Sequence, residues 1–333
     1  MHAGRRYSLS EFLIWSRRGI YYLFIVSAVP VLLYKLCGLQ WMYIPWAPVT
    51  LIGTAAVFIA GFRNNATYAR SWEARQIYGA IVNSSRSWGI MAKDFIDKKN
   101  PDLQNLRRIL IYRHIAWLTA LRFQLRQPRK WENVRVQSRY REYAKKYRVA
   151  EWDEDLVDII KPLLSKNGLA KIIDAANPAA QIIGLQSEHI SQLNSENEIE
   201  TLKYVEMVTV LKEFYDQQGR NERIKNFPYP RQFASISLFF IHLFIIMTPF
   251  GILKEFDNLG VYGIWLTIPF SMIIGWIFLI LEGVGESIEN PFEGGANDIP
   301  ITAISRTIEI DLREMIGETD VPLPLQPINN ILM

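Results

Sequence analysis

The sequence predicts an all-α protein in two parts, a four-span transmembrane helical bundle and a helical domain on one side of it. Three observations carry the prediction. Four apolar stretches, residues 19 to 38, 46 to 62, 233 to 253 and 262 to 281, hold 78 of the 333 residues and a single charged side chain, Lys35. The other 255 residues hold 69 of the 70 Asp, Glu, Lys and Arg residues, a soluble level of charge. Within that charged part the apolar residues recur at helical spacing, and strand-like alternation is scarce. The mean hydropathy of +0.04 therefore averages two different materials. Runs of about 20 apolar residues match a bilayer core of about 30 Å, which excludes a single soluble domain.

The first 18 residues carry Arg5, Arg6, Arg17 and Arg18, and the apolar run behind them is too long for a cleaved signal, so it reads as a retained first span. That span contains Pro30, where a kink is expected, and Lys35, whose stem can reach the interface. The uncharged link with Trp41 and Trp46 suits an aromatic belt on the far side. Span two stops at Arg63, but no Pro or Gly pair breaks its helical pattern before Asn100-Pro101, so one helix is expected to leave the membrane and continue. Residues 63 to 232 then read as all-α, with amphipathic segments at 103 to 126, 153 to 164 and 198 to 215. Spans three and four are joined by eight residues, enough only for a helical hairpin. The end, VPLPLQPINNILM, reads as an extended tail.

The expected organisation is therefore residues 1 to 62 (N-terminal segment with spans one and two), 63 to 232 (helical domain), 233 to 284 (spans three and four) and 285 to 333 (C-terminal segment and tail). Four crossings return both termini to one side. The Lys and Arg around span one and in 63 to 232 make that side cytoplasmic, in a cell inner membrane.

Several function classes fall away. No phosphate loop, nucleophile elbow, HExxH or CxxC motif is present, so no catalytic residue and no cofactor is expected, and the protein reads as no enzyme. Cys37 is the single cysteine, which excludes an intrachain disulfide. A net charge of +4 without a nucleic-acid motif gives no nucleic-acid partner. The four histidines, His2, His114, His189 and His242, are far apart in sequence; His242 lies inside span three, where a neutral bundle histidine is preferred to a functional one. Glu282, Glu286, Glu289, Glu293 and Asp298 follow span four. Their spacing favours charges paired with Arg or Lys of neighbouring cytosolic helices over a metal site.

Span two is more informative. Thr54, Phe58 and Phe62 fall at i, i+4 and i+8 on one helix face, flanked by the small residues Ala55 and Ala66. In one chain periodicity favours a packing stripe; in a ring of identical chains the same stripe becomes stacked aromatic collars that gate by dewetting.

The run GFRNNATYARSWEARQIYGA, residues 61 to 80, is similar to the second-span motif of bacterial bestrophin-like proteins, and ENPFEGGANDIPITAISRTIEID, residues 289 to 311, resembles their post-membrane signature. The resemblance covers the chain in order and implies a symmetric homopentamer around a central pore: an ion channel for small monovalent ions, chloride-type anions slightly favoured and cations possible. Its partners would be its own copies, membrane lipid and the permeating ions. It places the pore neck at Thr54, Phe58 and Phe62, with Asn64 and Asn65 offering uncharged dipoles below. The segment GRNERIKNFPYP, residues 219 to 230, resembles the family's cytosolic constriction and puts Ile224 at that aperture. Two departures matter. Where animal bestrophins carry a dense aspartate run that clasps calcium, residues 293 to 298 offer two carboxylates, so no calcium clasp and no bound metal is expected. Thr54 stands where the family commonly has a large aliphatic residue, which makes a wetter collar. The competing reading, from the large charged region, is a membrane-anchored helical scaffold for a cytosolic partner.

Overall fold

The structure is a computed structural model describing residues 1–97, 99–260 and 262–333. Its regular elements are helical, and among the described residues the only β pairing is in isolated bridges. The chain divides into two compact units: Arg5–Arg70 with Pro228–Glu289, and Met1–Gly4 with Ser71–Phe227 and Asn290–Met333.

The first unit is apolar. It holds α1 (Leu9–Leu36), the first half of α2 (Trp46–Asp94), α10 (Arg231–Asp257) and α11 (Thr267–Ser287). Ser8 and Glu11 start α1 with reciprocal side-chain to backbone bonds of 3.2 and 2.9 Å, a capping box. Gly38, at φ +67°, lies just past its end, where a Cβ would be strained. Four helices are long and apolar enough to cross a membrane: α1, α2, α10 and the stretch Gly263–Ser287. Close packing depends on small residues, since lipid supplies no hydrophobic drive between helices. A Cβ on Gly275 of α11 would strike Leu23 of α1, and one on Gly251 of α10 would meet Trp46 and Val49 of α2. Trp276 Nε1 donates to Ser16 Oγ at 3.0 Å, and Tyr34 donates to Asp257 at 3.2 Å, so polar contacts fasten this bundle at two levels.

The second unit holds the rest of α2 with α3 (Leu103–Arg126), α4 (Ser138–Ala144), α5 (Ala150–Asp153), α6 (Leu156–Ile160), α7 (Lys166–Ile173), α8 (Pro178–Ser195), α9 (Thr201–Asn226) and α12 (Ile301–Met315). Its centre is aromatic: Trp88, Trp117 and Phe214 are buried around His114, whose ring lies 4.6 Å from that of Phe214. The polar atoms there are matched, with Trp117 Nε1 donating to Gln218 at 3.0 Å and His114 Nε2 paired with Ser85 Oγ at 2.9 Å. Burial lowers the His114 pKa to about 3, so the ring is neutral.

The long helix expected after span two is found, unbroken from Trp46 to Asp94. The segment 153 to 164 is not one helix. Asp155 caps α6 by accepting from Val157 N at 2.8 Å, and the turn Lys161–Leu163 follows, because Pro162 has no N–H to continue α6. The extended tail has no helix past Met315, but its end is docked: Ile331 and Met333 are buried, and Ala303 N donates to the Met333 carbonyl at 2.7 Å.

Candidate functional site

The first half of α2 has two unlike faces. Val49, Ala56, Ala60 and Thr67 are fully buried, and a Cβ on Gly53 would collide with the Phe244 ring of α10. These residues recur at spacings of three, four and seven, so one stripe of mostly small side chains faces the bundle. The opposite stripe is large and open. Phe58 is 65% exposed and Phe62 60%, and Thr54 and Asn65 are exposed with them. A globular helix buries its large apolar residues; this one buries the small ones and presents the aromatics.

Thr54 Oγ1 donates to the Thr50 carbonyl at 2.9 Å, which leaves its methyl and oxygen lone pairs on the open face. The Phe58 and Phe62 rings sit 4.5 Å apart at 88°, edge to face. Aromatic edges carry partial positive charge, so such a pair offers a weak attraction to an anion along with an apolar barrier to water.

Directly after Phe62, Arg63 turns the other way. Its side chain is buried and forms ion pairs with Glu282 and, at 2.9 Å, with Glu289. Glu282 also accepts from Ser237 at 2.7 Å, and Glu289 is held by Arg231 at 3.0 Å. Two cations and two carboxylates thus join α2, α10 and the end of α11 in a charge-balanced cluster. Buried ions with this many fixed partners tolerate little rotation of the helix that carries them. The cluster therefore sets the rotational position of α2, and with it the outward direction of Phe58 and Phe62.

The expected site residues are only partly brought together. Thr54, Phe58, Phe62 and Asn65 share the open face of α2. Asn64 does not: its Nδ2 donates to the Leu281 carbonyl at 2.9 Å, because one residue along a helix is about 100° around it and Asn64 points into the bundle. Ile224 is 3% exposed, packed within the apolar core of the second unit. Large apolar side chains that α9 leaves open include Leu202, 74% exposed in its first turn, and Val205.

Of the acidic residues after span four, Glu282, Glu289 and Asp298 are held in ion pairs with arginines of the region from residue 63 on, as expected, and Glu293 is held by backbone N–H groups. Glu282 and Glu289 pair with Arg63, a residue sequence reasoning treated only as the end of a span; the signal was that Arg63 and Glu282 are each the first charge after an apolar run. Glu293 accepts from the backbone N–H of Asn133 at 2.7 Å, and Asp298 pairs with Arg126 at 3.2 Å and accepts from Gly294 N at 2.7 Å. Burial, and for Glu293 the neighbouring Asp298, raise both carboxyl pKa values, that of Asp298 to about 6. Among the described residues no three His, Cys, Asp or Glu side chains gather in a metal-holding arrangement. His242 bonds its own helix, Nδ1 to the Leu238 carbonyl at 2.8 Å, with its ring 5.8 Å from that of Tyr22.

Comparison with known proteins places the chain in a family. A family described as bacterial and fungal bestrophin protein matches residues 17–314. The voltage-dependent anion channel-forming protein YneE of Salmonella typhi is 27% identical over 310 residues, covering 93% of this chain and 88% of that one. The voltage-dependent anion channel-forming protein sll1024 of Synechocystis is 25% identical over 255 residues, 77% of this chain and 72% of that one. The crystal structure of a bacterial bestrophin homolog from Klebsiella pneumoniae superposes with a TM-score of 0.75 at 23% identity, covering 90% of this chain and 97% of that one, and so shares the fold.

Proposed function

The chain belongs to the bacterial and fungal bestrophin family, and on that premise we propose that it is an ion channel in which five copies surround a pore for small monovalent ions. The observation that carries this reading is the inverted α2: small residues toward the chain's own bundle, Phe58 and Phe62 away from it, and a buried ionic cluster that fixes the setting. Five such helices around an axis place Thr54, Phe58 and Phe62 as successive collars of an apolar neck, with Asn65 below it. Water leaves a narrow apolar neck readily, so the Phe collars act as the barrier. Chloride-type anions are favoured over cations, on the positive ring edges and on the anion-channel names of the relatives. The cytosolic constriction is assigned to Ile224, in the last turn of α9, on the likeness of residues 219 to 230 to the family's segment there.

In this arrangement residues 1 to 62 and 233 to 284 form the four-span membrane part, and 63 to 232 with 285 to 333 the cytosolic part. Both termini are cytoplasmic at the inner membrane, and lipid contacts the outer faces of the bundle. The test has two arms. Native mass of the purified protein is expected at about 193 kDa, five times 38.6 kDa. In reconstituted bilayers the reversal potential is expected to follow a chloride gradient more than a sodium gradient, with larger currents in Phe58→Ala. A monomeric mass, or no current from either wild type or Phe58→Ala, rejects the channel.

A further inference from the structure

The second unit contains a cavity of about 470 Å³ beside α4 and α5, which the proposed ion path does not use. That volume lies within the range of small-molecule sites. Its floor is apolar and aromatic, made by Val134, Ala144, Tyr147, Val149 and Trp152. Tyr147 is fixed there by donating to the Gly294 carbonyl at 2.9 Å, and a Cβ on Gly294 would meet the Trp152 ring. The Trp152 indole N–H is shut off from solvent and, among the described residues, donates to nothing, a polar group that native structures rarely leave so.

The rim is cationic. Arg135, Arg141, Lys145 and Arg148 line it against one carboxylate, Asp153. Arg148 is balanced by Asp153 at 3.3 Å and Glu154 at 2.7 Å, whereas among the described residues Arg135, Arg141 and Lys145 have no carboxylate partner. The Arg135 guanidinium lies 4.8 Å over the Trp152 ring, and Arg135 is exposed, so its outer face is open to a second flat group. Unbalanced charge above an aromatic floor fits a ligand that is itself two materials, a planar ring joined to a multiply charged anion. Inorganic phosphate would leave the floor unused; a neutral ring would leave the cations unmatched.

We propose that this cavity binds a nucleoside diphosphate, with the base against Arg135 and Trp152 and the phosphates on Arg141 and Lys145. The inference is independent of the ion path, since binding is read without current. Calorimetry on the purified full chain in detergent, titrated with adenosine diphosphate at low ionic strength, is expected to show saturable binding near one ligand per chain. Adenosine and pyrophosphate alone should each bind at least about tenfold more weakly. Arg141→Glu with Lys145→Glu, both exposed on the rim, should cut affinity at least about tenfold at unchanged melting temperature, and Trp152→Phe, which keeps a smaller aromatic ring and removes the N–H, should weaken it less. No saturable binding at millimolar concentration, binding unchanged in the double variant, or pyrophosphate as tight as the diphosphate would each overturn the assignment.

Discussion

Arg63 and Phe62 are neighbours in sequence with opposite tasks, one buried among carboxylates and one open. Removing the Arg63 cation leaves Glu282 enclosed without a cation while Arg231 still holds Glu289, and the loss of one member of a buried pair typically costs about 3–5 kcal/mol. Arg63→Met is therefore expected to lower the melting temperature of the purified protein sharply. Adding Glu282→Gln to it should recover a large part of the loss, because the uncompensated charge goes too. His114 gives a pH signature. Its folded pKa, about 3, is below the unfolded value of about 6.5, so the unfolded chain binds the extra proton between those limits. Stability is full above about pH 6.5 and falls as pH drops toward 3, by about 1.4 kcal/mol per unit for this one proton. Thermal unfolding followed from pH 7 to 4 should show a shallower decline in His114→Leu than in the parent.

At the scale of the element, the two faces of α2 and of α9 can be separated by substitution. Gly53→Leu drives a side chain into Phe244 and should destabilise by about 1–3 kcal/mol. Gly61→Ala, in the same helix with nothing within 4 Å of the new Cβ, should be neutral or slightly stabilising, as Ala is in any helix interior; melting curves of the two decide the point. On α9, Ile224→Ala opens a core cavity and should cost about 2–5 kcal/mol. Leu202→Ala, on an open surface, should stay within about 0.5 kcal/mol and leave ion flux in liposomes unchanged. The continuous α2 was legible because no breaker interrupts residues 46 to 94. The burial of Ile224 was legible in the phase of the helix. Val210, Gln217 and Ile224 are seven apart, hence on one face, and all three are buried.

For the whole molecule, segregation of charge from apolar sequence foretold the four long apolar helices and the all-helical remainder. What sequence did not foretell is which polar partner each buried charge takes. Arg63 finds Glu282, 219 residues away in the chain, through the packing of α2 on the end of α11, and no local pattern encodes a pairing at that separation. The same holds for the cavity over Trp152, whose floor is drawn from Val134 to Trp152 but shaped by Gly294 of a distant loop.

The outward Phe58 and Phe62 also bear on how copies would come together. A lone chain in a bilayer already solvates these rings well, because lipid tails are as apolar as they are. Burying them around an axis would gain no hydrophobic free energy, so the side chains proposed as the barrier would be spectators in assembly, and subunit association would draw on other surfaces. Phe58→Ala with Phe62→Ala should therefore leave the native mass and its dilution dependence unchanged in mass photometry, while conduction changes. A neck free of any structural duty to the oligomer can vary in sequence without loss of the assembly, which makes it a place where ion preference can drift while the architecture stays constant.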